Sequence, residues 1–98
     1  MIVEQALLQV APERVADFEA DFVRARPLIA ASPGFCGLEL RPSVETPGTY
    51  LLLVLWESVD DHRIGFRNSE RYQQWRALLH PYYDVLPGVT YFKDAILT

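Results

Sequence analysis

The chain has 98 residues with 13 acidic and nine basic side chains, a net charge of −4, and its basic residues, eight of them Arg, are scattered from Arg14 to Lys93. That balance offers no basic stripe to a phosphate backbone, so nucleic acid is not expected as a partner. Cys36 is the only cysteine, so no internal disulfide can form, and an N-terminus carrying Glu4 and Gln5 lacks the basic start and apolar stretch of a leader. The expected setting is therefore cytoplasmic, without membrane insertion.

Half of the residues are hydrophobic, enough for one domain over residues 1–98 and a surplus that points to a partner surface. Residues 2–10 are rich in aliphatics and end before Ala11-Pro12, which predicts a first strand followed by a helix start. From Glu13, Val15, Phe18, Phe22, Ala25 and Ile29 recur at spacings of three and four, predicting a helix with a kink or pitch change at Pro27, ended by Ser32-Pro33-Gly34. Residues 35–41 read as a second strand with Cys36, Leu38 and Leu40 on one face, Cys36 being a buried, inert thiol. Pro47-Gly48 closes a hairpin into the run Tyr50-Leu-Leu-Leu-Val-Leu-Trp56, a strand whose two faces are both apolar.

Ser58 and Asp61 have the spacing of a capping box, so a second helix is expected from there. It carries Val59, His62 and Phe66 on one face, bends near Gly65 to Asn68, and resumes with Tyr72, Trp75 and Leu79 until His80-Pro81. Residues 89–96 supply a fourth strand after Pro87-Gly88. The order β-α-β-β-α-β with two right-handed crossovers predicts an α+β, ferredoxin-like antiparallel sheet with both helices on one face. The other face would then be bare, and a homodimer would cover it.

The run from Tyr50 to Ser58, then His62, Gly65-Phe66-Arg67, Ser69 and Trp75, with Arg26-Pro27-Leu28-Ile29 and Ser32-Pro33-Gly34-Phe35 upstream, resembles the antibiotic biosynthesis monooxygenase domain over nearly the whole chain. The resemblance implies a dimeric α+β barrel, with a ligand pocket in each subunit between helices and sheet. It also implies a cofactor-independent monooxygenase acting on a phenolic, quinol or polycyclic aromatic molecule. Two alternatives stand beside it: a non-catalytic dimer that binds a small hydrophobic molecule, and an isomerase or dehydratase of the same superfamily. Heme-degrading relatives resemble one another in an Asn on strand one and a Trp and a ligating His on helix two. Here those positions hold Gln5, Phe66 and Arg76 or its neighbour Trp75, none an iron ligand, so no heme is expected.

Oxygenation without a metal or flavin needs a base, donors for the developing oxyanion and a dry aromatic cavity. His62 is the base by residue type, against the alternative of a core-edge histidine satisfied by a backbone carbonyl. Phe66, Tyr72 and Trp75 are either the wall of a substrate pocket or plain core. Arg76 is a further anion-binding candidate, whereas Arg63, Arg67 and Arg71 are expected to pair with surface acids. Gln5 donates to a substrate carbonyl if its face meets the helices and is structural if it does not; the match to the strand-one amide favours the pocket. His80 reads as a helix stop, and no metal ligand set appears in the spacing of the two histidines.

Overall fold

In the computed structural model, which describes residues 1–98, strands β1 (Ile2–Gln9), β2 (Phe35–Pro42), β3 (Thr49–Trp56) and β4 (Val89–Phe92) form one sheet in the order β2-β3-β1-β4. Every neighbouring pair is antiparallel. Helices α1 (Val15–Ala30) and α2 (Glu70–Leu79) carry the two crossovers. This is the ferredoxin-like α+β fold. The slab measures 35 × 35 × 20 Å, and its thin dimension is that of one helical layer on one sheet.

Alternation along the strands decides which residues are covered. On β3, Tyr50, Leu52, Val54 and Trp56 are buried beneath the helices, and on β1 the matching set is Glu4, Ala6, Leu8 and, one residue beyond it, Val10. Against them α1 lays Phe18, Phe22, Ala25 and Ile29, and α2 lays Trp75 and Leu79. Each large apolar side chain so covered contributes about 1.5–3 kcal/mol. Leu51, Leu53 and Leu55 lie on the opposite sheet face, with Leu55 still 38% exposed, and Leu7 beside them is 53% exposed.

Some sequence expectations are corrected. A bulge between Phe35 and Gly37 shifts the β2 register, so Phe35 turns inward against Trp56, with ring centroids 5.9 Å apart. Leu38 and Leu40 also pack on the core, while Cys36 is exposed rather than buried. β4 stops at Phe92 rather than Ile96 because β1, its only neighbour, starts at Ile2. Helix α1 runs through Pro27 to Ala30 after a short 3-10 turn at Pro12–Arg14. The break in the second helical region falls where expected, at Arg67–Asn68, but the first half, Asp61–Phe66, is π-helical. Ser58 accepts from the Asp61 amide at its start (3.2 Å), and Ser69 caps α2 through the Tyr72 amide (3.2 Å). No helix is long and apolar enough to cross a membrane.

Candidate functional site

Between sheet and helices lies a cavity of about 250 Å³. Its floor is Glu4, Ala6 and Leu8 of β1 with Leu52 of β3, and its helical wall is Ile29, His62, Phe66 and Trp75. Leu8 is four residue steps from Glu4, so the floor extends about 14 Å along the strand. The lining also includes Arg67, Tyr72, His80, Tyr83, Leu86 and Val89. Tyr83 lies at the Val10 end of β1, because its backbone bridges Val10.

Glu4 is the one carboxylate on this apolar floor, 4% exposed. Its Oε1 accepts a hydrogen bond from Trp56 Nε1 at 2.9 Å, and Nε2 of His62 stands 3.4 Å from the same oxygen. Strand geometry makes the first contact possible, since Val54 of β3 is the partner of Glu4 and Trp56 lies two residues along on the same face. Oε2 has no partner within the chain, yet the only fully occluded side-chain nitrogen or oxygen without one is Nε of Arg71. Glu4 itself lines the cavity. Burial pushes the Glu4 carboxyl from 4.5 up to about 6, and the Trp56 hydrogen bond and the Arg67 charge hold it from going higher.

His62, 4% exposed, is held by the π-helical segment. π-Turns of this kind recur at functional sites. Its Nδ1 lies 2.7 Å from the hydroxyl of Tyr91 on β4. Burial, then the charges of Arg67 and Arg63, lower its pKa to about 4, so the imidazole is neutral at pH 7. Burial alone raises the Tyr83 phenol, and burial followed by the Arg76 charge lowers His80. Phe66 meets Tyr72 and Trp75 edge to face, at 5.4 and 5.8 Å, and the Trp56 and His62 rings are tilted at 36° with centroids 5.5 Å apart.

Of the residues singled out in the sequence, His62, Phe66, Tyr72 and Trp75 come together around the cavity. Gln5 and Arg76 do not. Gln5 sits one residue out of phase with the floor, on the open sheet face, where Thr90 Oγ1 donates to its Oε1 at 3.0 Å. Arg76 follows Trp75 on α2 and points away from the core as an exposed residue. Arg67 is exposed, as expected, but has no acidic partner within ion-pair distance; it also borders the cavity and its charge acts on both Glu4 and His62. His62 is satisfied by side chains, not by a backbone carbonyl. Glu4, His80 and Tyr83 were not selected from the sequence. For Glu4 a signal existed, a lone acid in phase with Ala6, Leu8 and Val10. No group of three or more His, Cys, Asp or Glu is placed to hold a metal ion.

The profile of the antibiotic biosynthesis monooxygenase family matches residues 1–78. The chain belongs to the antibiotic biosynthesis monooxygenase family. It is 40% identical over 94 residues to the uncharacterized protein YczJ of Bacillus subtilis strain 168, covering 96% of this chain and 99% of that one. A crystal structure of a candidate antibiotic biosynthesis monooxygenase from Bordetella bronchiseptica superimposes with a TM-score of 0.91 at 40% identity, covering 97% of each chain. SnoaB, a cofactor-independent oxygenase from Streptomyces nogalater, shares the family fold with a TM-score of 0.76 at 20% identity over 98% of this chain and 92% of its own.

Proposed function

We propose that this chain is a cofactor-independent monooxygenase of small phenols or quinols, with Glu4 as its base. The observation that carries the reading is the setting of the carboxylate: Oε1 accepts from Trp56 and lies 3.4 Å from His62 Nε2, Oε2 takes no hydrogen bond within the chain, and the residue lines an aromatic cavity. A carboxyl raised to about 6 is mostly ionised at pH 7 yet more basic than a free glutamate, which is the match a general base needs. His62, lowered to about 4, is the weaker base and serves the carboxylate rather than replacing it. Membership of the family supports monooxygenation, and SnoaB supports chemistry without a cofactor on this fold.

In the proposed reaction Glu4 Oε2 takes a hydroxyl proton and the ring becomes an electron-rich anion. That anion transfers an electron to dioxygen, and the pair recombines at carbon. The substrate supplies all four electrons: one oxygen atom stays on the ring, the other leaves as water, and the product emerges two hydrogens poorer. Phe66, Trp75 and Tyr72 hold the ring plane and exclude water. A cavity of about 250 Å³ is at or below the usual lower bound of about 300 Å³ for a drug-sized ligand, which favours one or two fused rings over a four-ring polyketide. Two copies joined through Leu7, Leu51, Leu53 and Leu55 cover the open sheet face in this reading.

An oxygen-electrode panel of one-, two- and four-ring phenols and quinols tests it, with binding followed by tryptophan fluorescence. Uptake is expected for the one- and two-ring members. Binding without uptake across the panel would favour a small-molecule-binding dimer, and anaerobic conversion of a bound ketone would favour an isomerase using the same base.

A further inference from the structure

The base described above is one end of a longer chain of contacts. Glu4 and Tyr91 are directly opposite each other in the β1–β4 ladder, so both side chains rise from the same sheet face. Tyr91 Oη lies 2.7 Å from Nδ1 of His62, and Nε2 of that ring lies 3.4 Å from Oε1 of Glu4. A neutral imidazole has one N–H and one lone pair, and the partner of one nitrogen fixes the state of the other. If Nδ1 carried the hydrogen, the lone pair of Nε2 would face a carboxylate oxygen in a dry site. The opposite tautomer makes both contacts attractive, because the phenol O–H donates to Nδ1 and Nε2–H faces the carboxylate.

We infer that Tyr91 is a positioning residue: by donating to Nδ1 it holds His62 in the Nε2–H tautomer, aimed at Glu4 and favouring the ionised carboxylate. The inference rests on the reading of Glu4 as base and deepens it, since it assigns the element that orients the imidazole N–H facing that base. The other groups facing the chain do not substitute for the phenol. Trp56 Nε1 is committed to Oε1, Arg67 acts on both Glu4 and His62 through its charge, and Arg63 stacks over the Tyr91 ring at 5.5 Å. The position also gives the four-residue strand β4 a task beyond pairing with β1.

The test is Tyr91→Phe, which keeps the ring on a half-buried edge position and removes only the hydroxyl. Nitrogen NMR of His62 in the unliganded protein is expected to show the Nε2–H tautomer in the parent chain and a shift toward Nδ1–H in the variant. Carbon NMR of the Glu4 carboxyl should then show its midpoint moving upward, by at most about one pH unit, because the Nε2–H dipole 3.4 Å from Oε1 is lost. The acid limb of any oxygen-uptake profile should move with it. An Nδ1–H tautomer in the parent, or an unchanged tautomer and midpoint in Tyr91→Phe, overturns the inference. The NMR arms need no substrate, so they decide it separately from whether the protein consumes oxygen.

Discussion

Replacing Glu4 by Gln should make the protein more stable at neutral pH and disable it as an oxygenase. The carboxyl moves from 4.5 to about 6 on folding, so the folded state binds the proton more tightly than the unfolded chain. Its contribution to stability is full below pH 4.5 and is lost as pH rises through about 6. A shift of about 1.5 units corresponds to about 2 kcal/mol of destabilisation at pH 7 and above. Gln is nearly isosteric, keeps a carbonyl acceptor for Trp56 Nε1 and cannot ionise, so Glu4→Gln should recover about 2 kcal/mol at pH 7.5 and almost nothing at pH 4. His62 contributes a slope of opposite sign, because its lowered pKa makes the fold weaker as pH falls below 6.5. That slope is shared by both proteins and largely cancels in their difference. Urea denaturation of the two chains at one protein concentration, from pH 4 to pH 8, measures it. A gap that is constant with pH, or a variant less stable at pH 7.5, would refute the assignment of a buried charged carboxylate.

Trp56→Phe removes the donor that holds the Glu4 carboxyl down, so its NMR midpoint should rise above about 6, with a loss of about 1–3 kcal/mol in stability at pH 8. Phe66 is 1% exposed and packs on Trp56, Tyr72 and Trp75; Phe66→Ala should cost about 3–5 kcal/mol and lower the urea midpoint accordingly. Leu53 lies on the open sheet face opposite Gln5 and Glu39. Light scattering should give the parent chain twice the 11.2 kDa of one copy and Leu53→Lys a single copy; a parent that runs as one copy would contradict the barrel.

The architecture was legible because the apolar spacing is unambiguous. The two-sided run from Tyr50 to Trp56 could only be an interior strand, and the three- and four-residue spacing from Val15 to Ile29 could only be a covered helix. Local chemistry placed Ser58 and the break at Arg67–Asn68. The site was harder to read because it depends on phase. On β1 the interrupted apolar pattern leaves the phase open and offers Gln5 to the pocket, and a one-residue difference sends a side chain to the other face. Burial of Ala6, Leu8 and Val10 settles that phase in favour of Glu4. The bulge at Phe35/Gly37, which exposed Cys36, has no signature beyond a glycine. The π-helical segment that aims His62 at Glu4 and Tyr91 was likewise invisible, since its residues suit an ordinary helix equally well.

The most direct test is oxygen uptake by metal- and flavin-free protein on a two-ring quinol at pH 7.5, comparing the parent chain with Glu4→Gln. The account expects uptake by the parent and a loss of about 10²–10⁴-fold in the variant, with ligand binding retained. Uptake that survives in Glu4→Gln, or a parent chain that binds the quinol and consumes no oxygen, would contradict it.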